Sequence, residues 1–252
     1  MAGQGRQYVA EFIGTALLVA TVVGSGIAAQ RLSPNAIGLE LLENALATGA
    51  GLVAIILAIG PVSGAHMNPV VSLVDAAFGG LPWRSVPGYV VAQVAGAIAG
   101  AVVANLMFGL AAISLATHAR TGGGLWLGEI VATTGLLLTI FGVARSGRGD
   151  LAPFAVGAYI TAAYWFTSST SFANPAVTIG RMFSDSFAGI APGSAPGFIA
   201  SQLVGGAAAL ALLRYLMPNA QRVSAEILVP HEPEGSEVPG KPRDELIRNT
   251  AP

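Results

Sequence analysis

The stretch SFANPAVTIGR, Ser171–Arg181, places Asn174 and Pro175 side by side in a chain built mostly of Ala, Gly, Leu, Ile and Val. An earlier stretch, AHMNPVVSLVD at residues 65–75, nearly repeats it. Asparagine is a favoured N-cap of a helix, and proline is favoured at the first helical position. Each Asn-Pro pair followed by an apolar run therefore predicts the start of a helix.

The two predicted helices are too short to cross a membrane. The first runs from Asn68-Pro69 to about Phe78, and the second runs from Asn174 to about Ser184. About 10 residues at 1.5 Å each give roughly 15 Å, which is half of a hydrocarbon core of about 30 Å. The sequence predicts two half-helices.

Composition places these half-helices in a membrane protein. Of 252 residues, 53% are hydrophobic and 10% are charged, with a formal net charge of −1. A soluble domain carries about a quarter charged residues, and no basic field indicates nucleic acid. The absence of cysteine excludes disulfides and thiol chemistry, and His66, His118 and His231 lack metal-ligand spacing. We therefore expect no cofactor, no metal and no nucleic-acid partner.

Six apolar stretches are predicted to span the bilayer as helices, because lipid leaves only helices and closed barrels as spanning structures. They lie near Tyr8–Ala29, Gly38–Gly60, Val86–Phe108, Leu125–Ala144, Leu151–Thr167 and Gly197–Met217. The first resembles a signal peptide in its flanks, but Glu11 inside it and a similar segment in mid-chain favour a retained span.

The chain is predicted to contain an inverted repeat. AEFIGTALLVATVVG at 10–24 resembles GEIVATTGLLLTIFG at 128–142, so Glu11 matches Glu129 and the two Asn-Pro pairs match each other. Three spans in each half insert the halves in opposite orientations, about an axis in the membrane plane. We predict an all-α channel domain at 1–217, with six transmembrane helices and two half-helices, and with repeats at about 8–108 and 125–217.

Arginine and lysine residues orient the predicted bundle. With both termini in the cytoplasm, nine lie on inside segments and three on outside segments, in agreement with the positive-inside rule. The tail at 218–252 is rich in Pro, Gly and charge, so we predict a disordered cytoplasmic segment. The expected location is the inner or plasma membrane.

The motifs AEFIGT, SGAHMNPV and FANPAV, with a Gln-Gly pattern in the third and sixth spans, resemble those of the aquaporin and aquaglyceroporin family, the major intrinsic proteins. The resemblance covers about Tyr8–Met217 and implies a homotetramer in which each subunit has its own pore. It implies that the paired asparagines donate hydrogen bonds to the passing solute, and that Glu11, Glu129 and His66 support the half-helices. The matching pore motifs comprise Asn68, Pro69, Val70, Asn174, Pro175 and Ala176.

The outer selectivity filter departs from the family pattern. Most members have an arginine three residues after the second Asn, whereas this chain has Val177. Counting from the motifs places the other filter positions at Thr48, Ala162 and Ser171. None of the four is aromatic or charged, so we predict a wide, weakly polar filter. Arg181 lies one helical turn beyond Val177; leaning toward the pore mouth is one interpretation, and bonding to a loop or snorkelling is the favoured one.

The sequence thus predicts a passive channel for water and small uncharged polar solutes such as glycerol, urea and metalloid acids, arsenite among them. The alternative is a proton-coupled secondary transporter that uses Glu11 and Glu129 as coupling groups, because inverted repeats and broken helices also occur in carriers. Enzymatic activity is not expected, since no catalytic motif is present.

Overall fold

The computed structural model describes residues 2–217, and the predicted tail at 218–252 lies outside the described residues. Within them the protein is all-helical, with two sets of four helices in the same order. The first set comprises α1 (Ala2–Leu32), α2 (Ile37–Ser63), α3 (Pro69–Phe78) and α4 (Val86–Met107). The second comprises α5 (Gly123–Arg145), α6 (Ala152–Phe166), α7 (Pro175–Arg181) and α8 (Ala195–Leu216).

Helix packing confirms the predicted repeat. In the first half α1 packs on α2 and α4, and in the second half α5 packs on α6 and α8. The halves join through α2 against α6, and each half-helix contacts the last helix of the other half, α3 with α8 and α7 with α4. The half-helices α3 and α7 also contact each other, so the bundle closes around them.

Among residues 2–217, five helices are long and apolar enough to cross a membrane, namely α1, α2, α4, α5 and α8. The fifth predicted span, Leu151–Thr167, is shorter than expected, because α6 has 15 residues, or about 22 Å. A 3₁₀ turn at Gly149–Leu151 precedes it and adds length to the same segment. In the second half α6 takes the place that α2 takes in the first.

Both half-helices begin as predicted. The Asn68 side chain accepts a hydrogen bond from the backbone N–H of Val70, and α3 ends at Phe78, followed by Gly79, whose φ of 87° is left-handed. The Asn174 side chain accepts from the N–H groups of Ala176 and Val177. Proline occupies the first turn of each helix, where its missing N–H costs nothing.

The second half-helix is shorter than predicted. It was expected to reach about Ser184, but α7 ends at Arg181 after seven residues. The N–H groups of Met182 and Phe183 turn back to the carbonyls of Ile179 and Gly180, which tightens the last turn into 3₁₀ geometry. The chain then leaves the helix for a loop that returns past Arg181.

Small residues allow the long helices to approach closely. A Cβ on Gly96 or Gly100 of α4 would collide with the backbone of α1 at Phe12 and Ala16. In a membrane, where lipid provides no hydrophobic drive between helices, such close contact is a main source of packing energy. Gly96 and Gly100 therefore have a structural role in the α1–α4 contact.

Candidate functional site

One cavity runs between the two halves and contains both half-helix asparagines in its wall. Most of its lining is aliphatic, contributed by Leu18, Val22, Leu52, Ile56, Val71, Leu136, Ile140, Val156 and Ile160. The polar side chains in the wall are Thr48, His66, Asn68, Tyr164, Ser171, Asn174 and Arg181. Along most of this wall a passing solute meets aliphatic side chains, which form no hydrogen bonds. The side-chain hydrogen-bond partners are confined to these few polar residues.

The two asparagines hold each other in place across the pseudo-two-fold axis. Asn68 Nδ2 donates to the carbonyl of Ala173 at 2.8 Å, and Asn174 Nδ2 donates to the carbonyl of Met67 at 2.7 Å. Each amide thus bonds to the residue that precedes the other asparagine. One Nδ2 hydrogen on each side is used in this way, and the second remains for a molecule in the cavity.

The backbone leading into each asparagine is in an uncommon conformation. Ala65 and Met67 have φ of 49° and 47°, and the equivalent residues Ser171 and Ala173 have φ of 50° and 49°. For residues with a Cβ these left-handed values cost about 1–3 kcal/mol each. They persist only because neighbouring groups hold the backbone.

Glu11 supplies that support in the first half. Its two carboxylate oxygens accept hydrogen bonds from the backbone N–H groups of His66 and Met67, and from the side chains of Ser63 and Gln93, at 2.7–2.9 Å. Glu11 is fully buried. All four donors face an otherwise costly charge, which fits the predicted structural role.

Glu129 does the same in the second half. It accepts from the backbone N–H groups of Phe172 and Ala173 and from Gln202 Nε2. Neither glutamate lies in the cavity wall. Sequence reasoning assigned no role to the glutamines, although Gln202 also donates to Thr178, a residue of α7, at 2.9 Å.

His66 lies in the cavity wall and contacts the first half-helix. Its Nδ1 is 3.1 Å from Ser72 Oγ, and its Nε2 is 3.5 Å from Asp75 Oδ2. Both contacts are to α3, so His66 ties the loop before Asn68 to that helix. Asp75, seven residues after Asn68, was not singled out from the sequence.

Val70 is accommodated by a matching glycine. Its side chain is buried, and a Cβ on Gly206 of α8 would come within 2.5 Å of Val70 Cγ1. The larger residue in the first motif therefore fits because α8 has no side chain at that point. Val70 thus differs from Ala176, its counterpart in the second motif, in local packing, and the cap of α3 is intact.

Three of the four predicted filter residues lie in the cavity wall: Thr48, Ser171 and Val177. The fourth assignment was wrong. Ala162 is exposed on the outer side of α6, and Tyr164 lines the cavity instead. The Tyr164 hydroxyl is 3.2 Å from Thr48 Oγ1, so an aromatic side chain belongs to this level.

Arg181 also lies in the cavity wall and is 1% exposed. Its Nε donates to the carbonyl of Ala188, and its guanidinium carbon lies 3.4 Å from the centre of the Phe172 ring. The favoured interpretation, a loop-bonding arginine, agrees with the first contact. The alternative interpretation, a side chain at the pore mouth, agrees with the position of Arg181 in the cavity wall. Arg181 therefore satisfies both interpretations.

The loop between α4 and α5 brings a second cation near this mouth. Arg120 donates to the carbonyls of Gly189 and Phe187, and its guanidinium carbon lies 5.2 Å from the Phe172 ring centre. Partial burial, then the charges of Arg120 and Arg181, lower the pKa of His118 in the same loop. The neutral form of His118 is therefore favoured.

Comparison with known protein families identifies the family of this chain. The family model described as major intrinsic protein matches residues 2–173, more than half of the chain. The chain belongs to the major intrinsic protein family. This family consists of membrane channels, and the protein is accordingly an integral membrane protein.

Individual relatives agree with this assignment. Aquaglyceroporin AqpS of Rhizobium meliloti is 52% identical over 218 residues, covering 86% of this chain and 93% of that protein. The probable aquaporin NIP7-1 of Arabidopsis thaliana is 34% identical, covering 69% and 65%. The X-ray structure of the aquaglyceroporin from Plasmodium falciparum superposes with a TM-score of 0.67 at 20% identity, covering 87% of this chain and 99% of that one. The last likeness concerns the fold of the major intrinsic proteins alone.

Proposed function

We propose that this protein is a passive channel that conducts water and small uncharged polar solutes, with glycerol, urea and metalloid acids such as arsenous acid (arsenite) as the leading classes. The observation that carries the proposal is a cavity that has both Asn68 and Asn174 in its wall. Each amide has a hydrogen left for a solute oxygen, and most of the other lining residues are aliphatic. Both half-helices also point their N-termini, the positive ends of their dipoles, at this level.

The side chains of the filter favour the passage of solutes larger than water. Thr48, Ser171 and Val177 are small, and Tyr164 is the single large aromatic side chain among the four. The Tyr164 hydroxyl is engaged with Thr48, which draws it toward α2. We infer an opening of intermediate width, narrower than the sequence alone suggested, with an apolar side at Val177 for the carbon skeleton of a polyol.

Passive conduction is preferred over proton-coupled transport because of the state of the two glutamates. A coupling carboxylate must exchange protons with the transport path, but Glu11 and Glu129 lie outside the cavity wall. Their oxygens are occupied by backbone and amide donors. Protonation would break the bonds that hold the strained loops.

The assembly and orientation are further proposals. The resemblance implies a homotetramer in the inner or plasma membrane with both termini in the cytoplasm. Large hydrophobic side chains are exposed on the outer faces of the helices, among them Leu46, Leu57, Val91, Leu127 and Phe154. Such faces fit contact with lipid or with neighbouring subunits.

The test is a solute panel in proteoliposomes that contain the purified protein. Stopped-flow measurements compare water, glycerol, urea and arsenous acid with empty vesicles, and repeat each with an imposed proton gradient. We expect flux down each concentration gradient, unaffected by the proton gradient. Uptake against a concentration gradient driven by protons would overturn the proposal in favour of the carrier.

A further inference from the structure

The outer end of the cavity contains a cation that the filter motif does not predict. Arg181 lies in the cavity wall together with Val177, four residues earlier on α7. Side chains of a helix lean toward its N-terminus, so a residue covers the surface of the turn before it. The Arg181 side chain is therefore directed back toward the level of Val177, where the usual arginine is missing.

The guanidinium is held rigidly. It lies on the face of Phe172 and its Nε donates to Ala188 of the returning loop. Phe172 in turn packs edge-on against Phe198 with ring centres 5.0 Å apart. A planar cation fixed by a ring face and a carbonyl keeps its remaining N–H donors in a defined direction.

The positive charge is not neutralised by a neighbouring acid. Among residues 2–217, neither Arg181 nor Arg120 forms a salt bridge with a carboxylate. Beside them, the Ser171 hydroxyl is buried in the cavity wall and has no hydrogen-bond partner within the described residues. The cavity wall therefore carries a buried cation, Arg181, and an unused hydroxyl, Ser171, while Arg120 lies against the same Phe172 ring. This part of the wall is positive and able to form hydrogen bonds in a region of low dielectric.

We propose that Arg181 is the specificity-determining cation of the outer constriction, displaced by one helical turn from the position at Val177. It selects solutes that present an oxygen acceptor to the guanidinium and to Ser171, and it excludes small cations by repulsion. The inference rests on the proposed channel function and refines it. Val177 leaves room for the solute, and Arg181 keeps the charge barrier.

The experiment compares three variants with wild type in proteoliposomes, at equal amounts of inserted protein. Arg181→Met removes the cation, Arg181→Lys keeps charge but loses the planar stack, and Val177→Glu places a carboxylate at i, i+4 to Arg181 and neutralises it. The readouts are potassium leak, water flux and glycerol flux. Arg31→Met is the matched control, because exposed Arg31 also lies over a ring, Phe108, and donates to a carbonyl.

We expect potassium leak to rise about tenfold or more in Arg181→Met and in Val177→Glu, because a unit charge in a low-dielectric wall dominates the barrier to a cation. Arg181→Lys is expected to keep most of the exclusion, and Arg31→Met to match wild type. Unchanged leak and an unchanged glycerol-to-water ratio in an inserted Arg181→Met protein would overturn the inference.

A folding failure of Arg181→Met leaves Val177→Glu as the deciding variant, because it retains the arginine and its contacts. Unchanged potassium leak in that variant overturns the inference equally. The outcome for the channel itself is separate. Wild-type flux above empty vesicles supports the proposed function whatever the variants do, and its absence would reject the channel and not the placement of the charge.

Discussion

Asp75 and Arg181 occupy the same position in the two halves of the protein, each seven residues beyond the asparagine that begins its half-helix. Both side chains are buried. Asp75 accepts a hydrogen bond from the backbone N–H of Leu81, and Arg181 donates one to the carbonyl of Ala188. In each half this residue ties the half-helix to the loop that follows, with an acid in one half and a base in the other.

Asp75 is expected to contribute to stability through this bond. Asp75→Asn keeps a carbonyl oxygen for the Leu81 N–H, whereas Asp75→Ala leaves that donor unpaired, at a cost of about 1–3 kcal/mol. The thermal unfolding midpoint in detergent should therefore fall further for Asp75→Ala than for Asp75→Asn. Equal midpoints for the two variants would show that the Leu81 contact does not hold the loop.

Asn174→Asp is expected to insert but to conduct poorly. The carboxylate still caps the N–H groups of Ala176 and Val177, but it has no donor for the Met67 carbonyl or for a solute. Charge near the midplane costs about 2.5–3.5 kcal/mol, so glycerol flux should fall about tenfold or more.

The matched control for Asn174→Asp is Asn44→Asp. Asn44 is also a buried asparagine that donates to a backbone carbonyl, that of Val22, but it lies outside the cavity wall. We expect this variant to keep wild-type flux per inserted protein. Similar losses in both variants would mean that the effect comes from a buried carboxylate in general.

Glu129→Gln distinguishes two roles of Glu129, the support of the loop before Asn174 and the coupling of transport to protons. One amide oxygen cannot replace two carboxylate oxygens for the N–H groups of Phe172 and Ala173, so stability should fall by about 1–3 kcal/mol. Calorimetry of the solubilised protein measures this loss. The control is Glu43→Gln, because Glu43 of α2 accepts a hydrogen bond from the Ser33 hydroxyl. A variant of normal stability whose proton-driven uptake is abolished would instead support the carrier.

Mercurial compounds are expected not to inhibit the wild-type protein, because the chain has no cysteine and a thiolate is what mercury binds. Val177→Cys should create thiol-reversible inhibition of water flux, since Val177 lies in the cavity wall. Val62→Cys is the control, because Val62 is 43% exposed on α2. Inhibition of wild type, or none in Val177→Cys, would contradict the placement.

Gly100→Ala is expected to destabilise the α1–α4 contact. The added methyl group would collide with the backbone of Ala16, which cannot yield as a flexible side chain does. Overpacking of this kind costs about 1–3 kcal/mol. Gly124→Ala is the matched control, because nothing lies within 4 Å of its added Cβ; thermal unfolding should separate the two.

The helical organisation was predictable because it depends on local chemistry. The Asn-Pro pairs, the apolar runs and the repeated glutamates each have a direct physical meaning in sequence, and the structure places Asn68 and Asn174 as caps. Gly96 and Gly100, four residues apart on α4, allow the close contact with α1 through the same kind of local chemistry, a pair of small residues on one helix face.

The filter was less predictable because it depends on backbone geometry. Thr170, Ser171 and Ala173 have left-handed backbone conformations although none is glycine. Their residue types therefore do not predict this conformation. Tyr164, two residues after Ala162, lines the cavity, and no feature of the sequence marks that choice. The direction of Arg181 depends in the same way on the return of Ala188, seven residues later in the chain.

The reciprocal asparagine bonds have a consequence for biosynthesis. The Asn68 amide is completed by the carbonyl of Ala173, which lies 105 residues later. At about 5–20 residues per second, roughly 5–20 s of translation separate the two groups. During that interval the first half-helix has left the ribosome, but the second has not. The nascent chain therefore contains a re-entrant segment in which the Asn68 amide lacks its acceptor, the carbonyl of Ala173. Release from the insertion machinery before the second half arrives would leave that segment exposed to lipid, and the completed pore is the product of both halves docking together.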